Sequence, residues 1–257
     1  MLKGIPFDSP LYEIDEDRGI EYRNCKAITA LFTIKSDVSD LIPEGLKSLG
    51  NGGVWISHYG FSTVGIYNEY ISVIQVEDEL GDMGYYIPYI YVTNDAALAA
   101  GREIAGAPKK LANIGIVKEN DMILGFLERP KGKRLLSITV KPEQRVAEEF
   151  IDSFLQRRLE LYSLRLLPPI EGGDGVAQLV KWISYMDIHA DPEEKVTFDN
   201  VKLGRERIWG GNATVTYDSP SISDPVHKIP VKDLLLGAYL QFDMALKPEK
   251  VVKEWKL

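Results

Sequence analysis

The chain has 257 residues, 45% apolar and 26% charged, with a formal net charge of −8 at pH 7. Such a composition supports a globular core and excludes a disordered chain. The acidic balance argues against a nucleic-acid groove, which needs a basic surface. Cys25 is the one cysteine, so no intrachain disulfide can form and a reducing compartment is the simplest setting.

The opening residues, MLKGIPFDSPLYEIDEDRG, carry no apolar leader core, and no window reaches the ~18 uninterrupted apolar residues of a membrane span. The chain therefore reads as soluble and cytoplasmic, with no membrane partner. Residues 28–34, 54–59, 64–76 and 85–93 are rich in β-branched and aromatic side chains and predict strands, with LGNGG (49–53) and ELGDMG (79–84) as the turns between them. A short helix should start at about Asp95, capped by Asn94 or Asp95, and run through AALAAGREIA to a stop before Pro108. NIGIVKEN, MILGFLERP and RLLSITV resume the strand pattern, with Asn120-Asp121 and Pro130-Lys131-Gly132 as turns.

Residues 142–162, PEQRVAEEFIDSFLQRRLELY, place Val146, Phe150 and Phe154, and also Ile151, Leu155 and Leu159, at four-residue steps behind Pro142, which predicts an amphipathic helix. Strands return in VAQLVKWISYMDI, KVTFDNVKL, NATVTYD and GAYLQFDMAL, the last with Leu240, Phe242 and Met244 on one face. Many strands that are apolar on both faces suggest a sheet curled on itself. The expected fold is mainly β: an antiparallel barrel or barrel-like sandwich with a few peripheral helices, one domain over residues 1–257, with its pocket in the lumen or mouth. His58, His189 and His227 stand in no metal-ligand spacing, and neither a metal nor a cofactor site is expected. GGDG (172–175) lacks a helix-opening context and reads as a turn.

GREIAGAPKKLANI (101–114) sets Lys109 and Lys110 among alanines, glycines, Ile104 and Leu111. A lysine of ordinary pKa, about 10.4, holds a free amine in about one molecule in two thousand at neutral pH. Moving that pKa to about 7 frees roughly half and costs the ammonium about 4–5 kcal/mol. A dry pocket or a second cation would supply the shift. Adjacent side chains diverge, so desolvation should be the larger contribution and one lysine of the pair should enter the pocket. On composition alone, a lysine pair just past a helix end is a solvated complement to the helix dipole.

The segment NDAALAAGREIAGAPKKLANI resembles the lysine segment of the acetoacetate decarboxylases, the standing example of a lysine activated by desolvation or a neighbouring cation. GIYNEY, LIPEGL, LPPIEGGDG and IPVKDLL resemble further segments of that family, in order and spacing from roughly Glu21 to Leu235. The resemblance implies that Lys109 forms an imine with substrate, that Lys110 is the second lysine helping to tune it, and that Glu69, in the strand TVGIYNEYISVIQV beside Tyr67, Ile71 and Val73, assists proton transfer. It also implies a cone-shaped barrel and a homo-oligomer.

Two family groups have no counterpart. GGVWISHYG (52–60) holds no second acid, and Asn24 is followed by Cys25 where the family has an arginine; Arg23 and Lys26 flank the place. A one-residue strand shift reverses a side chain's face, so neither inherits the arginine's role. Cys25 reads as a small core residue. Arg102-Glu103 reads as a structural ion pair or helix-end contact, and Tyr85, Tyr86, Tyr89 and the four tryptophans as barrel wall or pocket lining. The functional expectation is a carbon-carbon lyase that decarboxylates a small β-keto acid such as acetoacetate through a lysine Schiff base. The alternatives are an imine-dependent aldolase or dehydratase acting on a keto acid, and a non-catalytic small-molecule binding protein on the same barrel.

Overall fold

The structure is a computed structural model that describes residues 19–146, 158–188, 197–198, 201–202 and 208–257. In chain order its elements are β1 (Ile20–Ile34), β2 (Leu46–Ser62), β3 (Tyr67–Asp78), β4 (Met83–Val92), α1 (Asp95–Ala100), β5 (Lys109–Leu111), β6 (Asn113–Glu119), β7 (Met122–Glu128), β8 (Arg134–Val140), β9 (Gln144–Arg145), β10 (Arg158–Leu167), β11 (Val176–Ile188), β12 (Thr197–Phe198), β13 (Val201–Lys202), β14 (Ile208–Gly211), β15 (Ala213–Tyr217) and β16 (Val231–Lys256). The chain is mainly β, as its alternation predicts.

Strands β1 to β4 form an antiparallel meander, β4 meets β10, β10 pairs with β11, β11 with β16, and β16 returns to β1, so the pairings close into a ring. Closure depends on the 26 residues of β16, whose Met244–Leu246 stretch bonds to β1 on one side and β11 on the other. One junction within the ring departs from the antiparallel expectation: β4 and β10 run parallel, through Leu161↔Tyr85 and Tyr162↔Tyr86.

Each strand sends alternate side chains to the two faces of the ring. Outward, Ile28, Ile56 and Ile74 are fully buried against Ile123, Leu136 and Ile138 of a second antiparallel sheet, ordered β15-β8-β7-β6. Each of these side chains contributes roughly 1.5–3 kcal/mol by leaving water. Inward, Ala27, Tyr67, Ile87 and Phe242 belong to a separate core that α1 and the following turn close at one end. No helix among the described residues is long and apolar enough to cross a membrane.

Two local expectations are corrected. LGNGG is not a turn: it lies inside β2, where Gly50, at φ +82°, marks a register shift between Ser48 and Gly52. Glycine punctuates turns, but it also marks bulges within a strand. The helix expected over 142–162 fails at both described ends, since Gln144–Arg145 is β9 on β14 and Arg158–Leu167 is β10; residues 147–157 lie outside the described residues. Four is an even number, so a four-residue apolar spacing also fits one face of a strand, and Leu159 and Leu161 face the ring interior. Of KVTFDNVKL, Thr197–Phe198 and Val201–Lys202 pair as a small hairpin, and the rest lies outside the described residues.

Candidate active site

The local sequence from Asn94 to Leu111 builds one end of the interior. The Asn94 side chain accepts a hydrogen bond from the Ala97 N–H at 2.8 Å and so starts α1 in the expected place. Beyond Ala100 the helix widens into a π turn over Gly101–Ala105, ended by Gly106 at φ +69°. The Ser163 hydroxyl donates to the Ala105 carbonyl and ties this turn to β10. The chain then enters β5, which runs parallel to β4 with Lys109 opposite Ile90.

In so short a strand adjacent side chains point to opposite faces. Lys109 turns inward and is 5% exposed. Its stem lies on Gly101, where an added Cβ would stand 2.5 Å from Lys109 Cδ and Cε; only glycine leaves that room. The Lys109 Nζ is 2.8 Å from Glu69 Oε2, both side chains being almost wholly buried. Glu69 comes from β3 and shares its face with Tyr67 and Ile71.

Three tyrosines surround this pair. The Tyr59 hydroxyl donates to Glu69 Oε1 at 2.8 Å; the Tyr67 hydroxyl lies 3.5 Å from Oε2 and 3.4 Å from that of Tyr22. The Tyr67 ring centroid is 5.7 Å from the Lys109 ammonium, within cation-π range. Burial first, and the Glu69 charge next, hold the Tyr59 and Tyr67 phenols well above the ordinary tyrosine value, so both stay O–H donors. Sequence reasoning placed Tyr67 on the strand face of Glu69 but missed Tyr22 and Tyr59, because their arrival depends on register: Tyr59 lies opposite Tyr67, and Tyr22 is brought in from β1.

The pair borders a cavity of ≈ 90 Å³ as traced by the centre of a water molecule. Trp55, Ile71, Ile87, Leu161 and Phe242 form much of its wall, and Lys109 and Glu69 are the charged side chains among the described lining residues. Trp182 and Tyr85 also line it; Tyr86 belongs instead to the outer core, against which Tyr89 and Trp255 pack, and Trp209 is exposed. No group of three or more His, Cys, Asp or Glu among the described residues would hold a metal ion.

The structure does not bring Lys110 to this site. Its ammonium points the other way, 2.5 Å from the Ser223 carbonyl and 3.0 Å from Asp224 Oδ1. Asp224 is itself buried and also takes Arg129 at 3.2 Å and the Tyr91 hydroxyl at 3.2 Å. The Lys109 ammonium therefore has a carboxylate as its close charged neighbour, not the second cation that the sequence suggested, while the desolvation asked of its surroundings is present.

Arg102 donates from Nη1 to the Lys109 carbonyl at 3.3 Å, a contact at the helix end. Arg23 is half exposed and meets Asp243 and Glu21, each at 3.4 Å; neither it nor Lys26 is on the cavity wall. Cys25 is buried in the inner core, and desolvation, with Asp243 second, pushes its thiol up to about 12, which suits a packing residue and not a nucleophile.

Comparison with known proteins agrees with the fold. The family model for acetoacetate decarboxylase matches residues 8–255. "Acetoacetate decarboxylase 3" of Mesorhizobium japonicum is 28% identical over 193 residues, covering 74% of this chain and 67% of its own. Among solved structures, the acetoacetate decarboxylase of Legionella pneumophila superposes with a TM-score of 0.79 at 20% identity, covering 95% of this chain and 90% of its own. The enduracididine biosynthesis enzyme MppR complexed with pyruvate has the same fold, with a TM-score of 0.73 at 13% identity, covering 96% of this chain and 93% of its own. With an inward lysine on a carboxylate in a closed β ring and a family match over nearly its whole length, the chain belongs to the acetoacetate decarboxylase family.

Proposed function

We propose that the protein is a Schiff-base lyase that decarboxylates a β-keto acid, with Lys109 as nucleophile and Glu69 as proton carrier. The observation that carries this reading is the 2.8 Å contact between Lys109 Nζ and Glu69 Oε2 inside an apolar chamber. Glu69 takes the ammonium proton, and the freed amine attacks the ketone carbon. The carbinolamine loses water with Glu69 supplying the proton, which leaves a protonated imine. The bond to the carboxylate carbon then breaks, CO2 departs, and the electron pair moves into the imine to give an enamine. A proton returns to carbon, and water hydrolyses the imine to release the ketone and the amine.

Tyr59, donating to Oε1, is a positioning residue that fixes the carboxylate with its other oxygen toward the amine. Lys110 falls outside this chemistry because its charge is spent on Asp224. A single domain, a cytoplasmic setting and assembly into a homo-oligomer go with the family reading. An aldol or dehydration reaction through the same lysine is favoured by two observations: the lining holds no second carboxylate among the described residues, and a structural neighbour was solved with pyruvate.

The test offers acetoacetate and longer 3-oxo acids, and follows CO2. Release by the wild type, and its loss in Lys109→Ala and Glu69→Gln, supports the lyase. An imine trapped from a keto acid with no CO2 released would give the reaction to the aldolase or dehydratase.

A further inference from the structure

The charged pair lies at the closed end of the interior. Behind Lys109, the π turn with Tyr22 and Trp182 leaves a cavity of only ≈ 20 Å³, room for about one water. In the other direction the inward side chains of β3 run Glu69, Ile71, Val73; Glu69 is 3% exposed, and Ile71 and Val73 are partly exposed along the cavity. Four residues of strand span about 13 Å. The interior is therefore a shaft with the reactive pair at its base.

Its walls are mostly hydrocarbon. Leu31, Trp55, Leu161, Met186 and Phe242 face the shaft from the other strands of the ring. Two of the lining hydroxyls are already engaged: Thr29 donates to the Val54 carbonyl at 3.1 Å, and Ser184 points at the Met244 sulfur at 3.8 Å. A four-carbon keto acid bound at Lys109 would occupy only the base and leave water against the apolar walls above it, which is unfavourable.

We infer that the substrate is a keto acid whose carbonyl bears an apolar chain of several carbons, carbonyl at Lys109 and chain laid along Ile71 and Val73 toward the mouth. The inference rests on the imine reading for the carbonyl end and on the shaft for the chain.

Two measurements separate them. Binding of inert saturated carboxylates, butanoate through dodecanoate, is followed by the fluorescence of the shaft tryptophans Trp55 and Trp182. Affinity should tighten about fourfold per added methylene, so octanoate should bind on the order of a hundredfold more tightly than butanoate. Val73→Trp, which fills the shaft, should compress that ratio to less than about tenfold. In parallel, kcat/KM for CO2 release should favour 3-oxooctanoate over acetoacetate by a similar factor. Affinities and kcat/KM values that do not change with chain length would overturn the shaft assignment and leave the lysine chemistry standing. So would a chain-length preference untouched in Val73→Trp. Chain-dependent binding without CO2 or a borohydride adduct from any 3-oxo acid would remove the lysine chemistry and keep the ligand class.

Discussion

An ammonium and a carboxylate held 2.8 Å apart in an apolar chamber attract strongly, yet both have lost their hydration, and for buried pairs the second effect often cancels the first. Removing one partner then leaves a lone charge in the dry. Lys109→Met should therefore cost about 3–5 kcal/mol in urea unfolding, whereas Lys109→Met combined with Glu69→Leu should recover most of that loss and reach or exceed wild-type stability. A double variant as unstable as the single one would mean that the pair clamps the fold and is not kept for chemistry. Lys109 and Glu69 were legible in the sequence through their motifs. Tyr67 was legible as a neighbour of Glu69 two residues along its strand, whereas Tyr22 and Tyr59 were not, since nothing local to a strand says which residue lies across from it. The partner of Lys110 was out of reach for the same reason: Asp224 is 114 residues away.

α1 and β5 act as elements by fixing a position. The Lys109 stem crosses Gly101 so closely that the methyl of Gly101→Ala would occupy its path. This variant should keep the fold, because alanine is the better helix former, but should lower keto-acid turnover by about a hundredfold by displacing the amine; turnover within threefold of wild type would show that the stem has another route.

On the opposite face of β5, Asp224 gathers Lys110, Arg129, Tyr91 and the Ser223 hydroxyl. Burial opposes its charge, but the hydrogen bonds from Lys110 and Ser223 and the charges of Lys110 and Arg129 outweigh it, so the carboxyl is held below the usual aspartate value. A depressed carboxyl stabilises the fold above its unfolded value, about pH 3.9, and that contribution is lost as pH falls through the lower folded value. Asp224→Asn should be less stable than wild type by about 1–3 kcal/mol at pH 7, with the gap narrowing below about pH 3.9. A gap independent of pH would place the effect in packing alone.

At this scale the helix at α1 was legible from its cap, while the stretch entering β10 was misread because its apolar step of four suits a helix and a strand alike. Gly50 misled in a similar way, its positive φ serving a bulge where the sequence suggested a turn.

For the whole molecule, the mainly β class was legible because alternation recurs along most of the chain. A sheet curled on itself was legible too, from strands apolar on both faces, but the pairings that close it were not, since they depend on β16 meeting β1 about 200 residues earlier and on a parallel junction between β4 and β10. That closure makes the interior dry: the second sheet covers the outer face of β1 to β3, the inner face turns its apolar side chains to the shaft, and α1 closes the base. A reactive amine needs such a chamber, and this architecture supplies it at Lys109. Incubation with acetoacetate or 3-oxooctanoate under borohydride, followed by digestion and mass spectrometry, tests this most directly. The account predicts a reduced-imine mass gain on the peptide carrying Lys109, absent from Lys109→Ala; no adduct from either acid, or an adduct on another lysine, would contradict it.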